Sequence, residues 1–439
     1  MFRISHALTS AVGFPASVRA IRKTCGDIEA SRTRQSVEGI NPMSTAAPVE
    51  QGRETAKSAP IAIALASSVV VVSGVNLIYP ILPVVSSDLD IDESRIGLVI
   101  AAFTLPAVFL APLFGLFADF YGRRWLLVFG LLMFAVFGAA AALAPNLEWL
   151  LVWRALQGVG MSALSPLTIV LISDLYTQRE QELQAQGWKV AIDRIAMILL
   201  PLVGGALAIY SWRLAFLVFA LVIPIALVAL ALMPETRPQG ARNLSAYFHS
   251  MSQAIRERKV SLAFAVGFLR FFLDYGIFIY LPLLLTLRYG ASVIVSGIML
   301  ALSAVGAIVT ATTVRYLSGF ASLERLLVFA YLVTVLGLAV ILARPPLWVI
   351  GVGAFAIGLG NGLISPLQKS MITRNAPPTL RGGVISCDRV VQQVAKTLAP
   401  SLLGLLLVVA PIESVFLVLL GIGLIGAAMM LIADSASPQ

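Results

Sequence analysis

The chain has 439 residues, 59% of them hydrophobic and 12% charged, with a formal net charge of +9 and a mean hydropathy of +0.92. A soluble fold needs far more charge on its surface, so the composition describes a multi-pass helical membrane protein whose partner is the lipid bilayer. The basic residues are scattered over short connections rather than gathered on one face, which argues against a nucleic-acid partner, and Cys25 and Cys387 are too far apart to suggest a disulfide framework or a metal-binding pair.

Residues 1–59 carry eight Lys/Arg against five Asp/Glu among scattered Ser, Thr, Gly and Pro, and read as a disordered tail. The opening stretch is basic and free of acids, as in a transit peptide. Its apolar residues are too interrupted for a secretory core, and Met43 begins a second, more ordinary leader.

Hydrophobic spans then follow at about 60–84, 95–117, 124–143, 147–172, 185–208, 212–233, 261–285, 292–314, 325–342, 346–371, 382–408 and 412–433. Residues 234–260 form the one long internal connection and divide the twelve into two sets of six, 60–233 and 261–433, with a short tail at 434–439. The end of that connection, SAYFHSMSQAIRERK, has the spacing of a helix lying along a membrane surface, or of a solvated linker. The fold class expected is all-α, with twelve transmembrane helices in two six-helix bundles.

Connections after even-numbered spans hold most of the Lys and Arg: Arg123 and Arg124, Arg179, Arg237, Arg242, Arg256, Arg258 and Lys259, Arg315 and Arg325, and Arg374 and Arg381. Basic loops are retained in the cytoplasm, so both termini are expected there, in a bacterial cytoplasmic (inner) membrane.

A shift of 200 residues lays Gly158–Leu167 (GVGMSALSPL) on Gly358–Leu367 (GLGNGLISPL), and LLVF at 126–129 on LLVF at 326–329. Near the same offset Pro201 and Gly205 match Pro400 and Gly404, and YPILP at Tyr79 is similar to YLP at Tyr280. One register held over three pairs of spans marks two related halves.

The polar stretch Gly115–Arg124 (GLFADFYGRR) between spans two and three resembles the G-x-L-A-D-R-x-G-R-R/K signature of the major facilitator superfamily. On span four, Arg154, Gln157, Gly158 and Gly160 match the family's R-x-x-Q-G-x-G pattern, and on span five Pro201, Gly204 and Gly205 match part of an antiporter signature in which Ala196 and Leu200 replace glycines. The resemblance covers about residues 60–433 and is specific for the superfamily, not for a substrate. It implies the major facilitator fold and, in the twelve-helix drug/proton antiporter branch, export of small amphipathic compounds driven by a proton gradient, with no cofactor, by a monomer. No nucleotide loop, metal cluster or nucleophile constellation suggests an enzyme.

In the stretch Gly115–Arg124, Gly115 and Gly122 permit close helix approach and an unusual turn, and Asp119 beside Arg123 and Arg124 can form a latch at the membrane rim, with Asp174 as a further member. Asp119 can also face the start of span eleven, where the helix dipole favours an anion. The counterpart, RYLSGFASLE, has Gly319 in place of Asp119, so the latch is single.

Ionisable groups inside spans cost about 2.5–3.5 kcal/mol each, so each one asks for a reason. Arg270 and Asp274, four residues apart, share a helix face and can neutralise one another, structurally or as a site that opens to a proton. Both histidines lie outside the spans, so Asp274, Asp193 and Asp388 are the candidates for proton coupling, in that order of depth. Asp193/Arg194 and Asp388/Arg389 are adjacent and point about 100° apart, so each acid's partner is expected on another helix. Candidates for lining a central cavity are Asn76, Tyr79, Arg154, Gln157, Arg194, Arg270, Tyr275, Asn361, Gln368, Gln392 and Lys396, with Tyr280 and Gln393 beside them. Phe271, Phe272 and Phe278 can give an aromatic wall, and Pro201, Gly204 and Gly205 a bend that lets helix five pack closely. Three readings follow: a proton-coupled exporter of amphipathic compounds such as drugs; an importer or facilitator of an organic anion or other metabolite, which the buried cations Arg154, Arg194, Arg270, Lys369 and Lys396 favour; and a non-transporting membrane sensor.

Overall fold

In lipid every backbone N–H and C=O must be satisfied within the chain, and helices do this segment by segment. The computed structural model describes residues 48–176, 178–235, 257–377 and 381–435. The chain divides into a unit Met1–Thr55 and a unit Ala56–Gln439, and the second holds all the spans. Among the described residues there is no strand, and twelve helices are long and apolar enough to cross a bilayer: α1 (Ala59–Asp88), α2 (Glu93–Gly115), α3 (Arg123–Leu143), α4 (Leu147–Leu175), α5 (Glu180–Ala208), α6 (Trp212–Leu232), α7 (Arg258–Tyr289), α8 (Val293–Val314), α9 (Leu323–Leu342), α10 (Leu347–Asn375), α11 (Gly383–Leu407) and α12 (Ile412–Ser435).

The expected surface helix before α7 lies mostly outside the described residues; its last basic residues, Arg258 and Lys259, form the first turn of α7. The tail 1–47 and residues 436–439 also lie outside them, as do the side chains of Asp119, Arg179, Arg315 and Arg381. Local sequence sets several helix ends. Asn146 and Ser322 accept hydrogen bonds from the backbone N–H of Trp149 and Arg325 at the starts of α4 and α9. Gly290, with φ 58°, closes α7 in a left-handed turn. Within α1 the helix breaks after Asn76, and a tight turn at Tyr79–Ile81 carries Pro80.

The two halves pack alike. In the first, α4 lies against α2 and α3, and α3 against α6; in the second, α10 lies against α8 and α9, and α9 against α12. Close approaches recur at the 200-residue offset. Gly158 meets the backbone of Phe103 and Gly358 that of Ser303. A Cβ at Gly160 would stand 2.6 Å from the Gly130 carbonyl oxygen, and one at Gly360 2.5 Å from that of Ala330. Side chains are barred at these points because the backbones themselves touch.

The halves meet along α2–α11 and α5–α8. Near the end where α1 finishes, a Cβ at Gly97 would stand 2.7 Å from the Pro400 carbonyl oxygen, which accepts from the Tyr280 hydroxyl at 2.8 Å, and Gly404 packs on the Ser94 backbone. A Cβ at Gly297 would lie 2.7 Å from the Pro201 carbonyl oxygen, and one at Gly205 3.0 Å from that of Val293. These contacts seal one face of the unit. Farther in, the hydroxyls of Thr104 and Thr397 share a buried hydrogen bond of 2.9 Å between α2 and α11. Helix α5 runs unbroken through Pro201, while Gly204 and Gly205 bring it against the backbones of Leu77 and Val293.

Candidate functional site

The polar stretch Gly115–Arg124 is mostly helix rather than turn. The helix that contains α2 continues to Tyr121, and Gly122 alone, with φ 98° and ψ 154°, makes the break before Arg123 starts α3. That φ favours glycine, and the Glu235 carboxylate occupies the space a Cβ at Gly122 would need. Gly115 differs from expectation: among the described residues nothing lies within 4 Å of where its Cβ would be, so it mediates no close approach to them. Arg123 is buried and pairs with Asp174 at the end of α4. Arg124 donates to the Leu230 carbonyl at the end of α6. These partners of the basic pair belong to the first half, so they brace that half. The Asp119 side chain lies outside the described residues.

Arg154 is fully buried and committed to packing within the first half. Its guanidinium donates to the carbonyls of Val99 (3.2 Å) and Gly74 (2.9 Å) and to Gln157 Oε1 (2.7 Å), and it sits 4.2 Å over the Phe103 ring. Backbone acceptors from α1 and α2 compensate the charge, which accounts for Arg154 without a ligand, whereas Gln157 keeps its buried Nε2 without a hydrogen-bond partner among the described residues. Asn76 likewise bonds its own helix, at the Val72 carbonyl (2.9 Å).

The other intramembrane charges gather between α5, α7, α10 and α11. Asp274 on α7 is 7% exposed and faces Arg270 at 3.7 Å. One of its oxygens, Oδ1, has no hydrogen-bond partner. Arg194 from α5 and Lys396 from α11 also act on Asp274, so three helices converge on this carboxylate. Lys396 donates to Gln393 Oε1 at 2.7 Å and lies 4.6 Å over the Phe271 ring and 5.8 Å from that of Tyr275. Tyr275 and Phe278 in turn contact Tyr79 of α1, with ring centroids 6.0 and 5.7 Å apart. Phe272 instead turns to Phe268.

The remaining acids each take one partner from another helix and one from their own. Asp193 accepts from Ser68 of α1 at 2.5 Å, but its ionic partner is Lys189 on its own helix, at 2.8 Å. The i,i+4 spacing places Lys189 on the face of Asp193. Asp388 is held by amides, from Gln368 of α10 (2.8 Å) and Gln392 of α11 (2.6 Å). Gly267 makes room for this pair, since a Cβ there would stand 2.7 Å from Gln368 Nε2. Asn361 is buried with neither end of its amide bonded. A separate cavity of about 290 Å³ lies at the sealed face beside Arg288, Arg344 and Glu413, away from these groups.

The family model described as Major Facilitator Superfamily matches residues 64–386 and, in a second overlapping match, 263–439. Quinolone resistance protein NorA of Staphylococcus aureus is 32% identical over 143 residues, which are 33% of this chain and 37% of that protein. Multidrug resistance protein 1 of Bacillus subtilis is 27% identical over 186 residues, 42% of this chain and 48% of the relative. The chain thus spans between a third and a half of the length of these relatives. Among solved structures, a bacterial homologue of the human lysosomal transporter Spinster superposes with a TM-score of 0.72 at 16% identity, covering 87% of this chain and 97% of that one. The nucleoside transporter NupG gives 0.71 at 13%, covering 84% and 99%. The human organic anion transporter MFSD10 gives 0.61 at 19%, covering 85% and 99%.

Proposed function

Because the chain belongs to the Major Facilitator Superfamily, whose members are transporters of small molecules rather than enzymes, we propose that it is a proton-coupled secondary transporter of small amphipathic compounds working by alternating access. The observation that carries this reading is the Asp274–Arg270 pair, with one carboxylate oxygen free, between helices of the two halves. In this reading the halves 60–233 and 261–433 rock about the connection 234–260, and the pair opens as they do. Asp274 then takes up or releases a proton while Arg270 turns to solute. With both termini in the cytoplasm of a bacterial inner membrane, as the Lys/Arg distribution favours, the sealed face is the outer one. The proton gradient supplies the energy, and a single chain carries out the cycle.

The drug-resistance names of the relatives support export. A second reading, uptake or facilitated passage of an organic anion, is favoured by the excess of cations around Asp274.

The test is transport in proteoliposomes under an imposed proton gradient, with a panel of dyes, antibiotics and organic acids. Gradient-driven movement of at least one solute, lost in Asp274→Asn protein that inserts normally, supports the reading. Unchanged movement removes Asp274 from the mechanism, and failure to move any solute leaves a sensor as the better account.

A further inference from the structure

Six cations, Lys189, Arg194, Arg270, Lys369, Arg389 and Lys396, act on one another or on the three acids among α5, α7, α10 and α11. The acids are already engaged: Asp193 with Lys189, Asp274 with Arg270, and Asp388 with two glutamine amides. Among the described residues, Arg194, Lys369, Arg389 and Lys396 have no carboxylate within 4.0 Å. The charges that act most strongly on Lys369 are all positive: Arg270, Arg194, Arg389 and Lys189.

Cations in spans normally find a counter-charge or a backbone carbonyl, as Arg154 does in this chain. Four that lack an acid, held where their fields add, form an electropositive cluster that lowers the energy of an entering anion. Two further observations shape that anion. Lys189 and Arg389 are repeat mates at the 200-residue offset, so α5 and α11 each contribute a cation at the matching place in their half. Lys396 stands over Phe271 and near Tyr275, which places an aromatic surface directly beside a charge.

We propose that the cargo is an organic anion, a carboxylate or sulfonate carried on an aromatic body. Its charged group is held by Arg194, Lys369, Arg389 and Lys396, and its apolar part lies against Phe271 and Tyr275. The proposal rests on the transport reading but not on the direction of transport. It also accounts for two kinds of charge in one cluster: Asp274 handles the proton, and the surplus cations handle the solute.

The test uses a matched set of naphthalene probes, a sulfonate, the corresponding neutral sulfonamide and an amine of equal size, with full-length protein in phosphatidylcholine vesicles. The sulfonate is expected to bind and move, and the other two to do so at least tenfold less well. Lys396→Met and Arg194→Met should each weaken sulfonate binding about tenfold, Lys396→Arg should restore most of it, and Arg374→Gln, outside the cluster, should leave it unchanged. Preference for the amine, with transport intact, overturns the anionic cargo and spares the transport reading. Movement of no probe, nor of any solute in the wider panel, overturns both. Sulfonate binding that ignores both Met substitutions overturns the residue assignment. Sulfonate binding that vanishes when phosphatidylglycerol is added makes the cluster a lipid-headgroup site and overturns the cargo claim.

Discussion

The sealed ends of the two halves are built on one plan with opposite charges. In the first, Asp88 at the end of α1 accepts from Trp212 Nε1 at 2.7 Å and faces Arg213 at 3.7 Å. Arg213 reaches on to the carbonyls of Ala142 and Ala144 in the α3–α4 turn. In the second, at an offset of 200 residues for every member, Arg288 ends α7, Glu413 begins α12 and Arg344 lies in the α9–α10 turn. Glu413 binds Arg288 at 2.6 Å and Arg344 at 3.2 Å. Acid has become base, base has become acid, and a carbonyl acceptor has become a guanidinium donor. The duplicated halves therefore preserve where a contact is made, while the sign of its charges is free to invert, because a pair is neutral in either sense. Among the described residues the opposite face shows different contacts in the two halves: Arg123 and Arg124 brace α4 and α6, whereas in the second half Arg325 and Ser322 hold Asp434 at the end of α12.

The largest expected effect concerns what the halves share. Gly158→Val and Gly358→Val each push a side chain into a neighbouring backbone, and each should cost about 3 kcal/mol or more and reduce the yield of monodisperse protein, to a similar degree in the two halves. A variant tolerated in one half only would show that the matched packing is superficial.

The clamps should differ in strength. Glu413→Gln leaves Arg288 and Arg344 facing one another, whereas Asp88→Asn keeps an acceptor for Trp212. The first should lower thermal stability more, by about 1 kcal/mol, because the arginines are largely solvated. Asp88→Arg should destabilise, and adding Arg213→Glu should recover most of the loss by installing the charge order of the second half. A double variant no more stable than the single one would contradict the interchangeability of sign.

At the other face, Asp119→Ala should slow transport of every solute while leaving binding largely intact, measured as a fall in rate at unchanged affinity; loss confined to some solutes would return the stretch to the binding site. The smallest effect is expected at Gly115, where Ala should change stability by less than about 0.5 kcal/mol. Gly122→Ala, facing both a positive φ and the Glu235 carboxylate, should cost clearly more.

These contrasts also show what the sequence makes legible. Spans emerge from hydropathy because lipid demands long apolar helices, and the pairing of halves from glycines, whose positions are fixed by backbone contact. The ionic partner of Asp193 escapes a search on other helices, because helix geometry puts Lys189, four residues back, on the acid's face. The amide cradle of Asp388 depends on which helix faces which, and Gly115 carries the same letter as Gly158 with none of its contacts. The charge-inverted clamp escapes a search for matching residues, since every member differs from its mate.

The most direct measurement is the luminal pH of dye-loaded proteoliposomes when a transported solute is added without any imposed gradient. The account predicts a solute-evoked pH change in the wild-type protein that disappears in Asp274→Asn while that variant still inserts and binds the solute. A pH change of undiminished size in Asp274→Asn would contradict it.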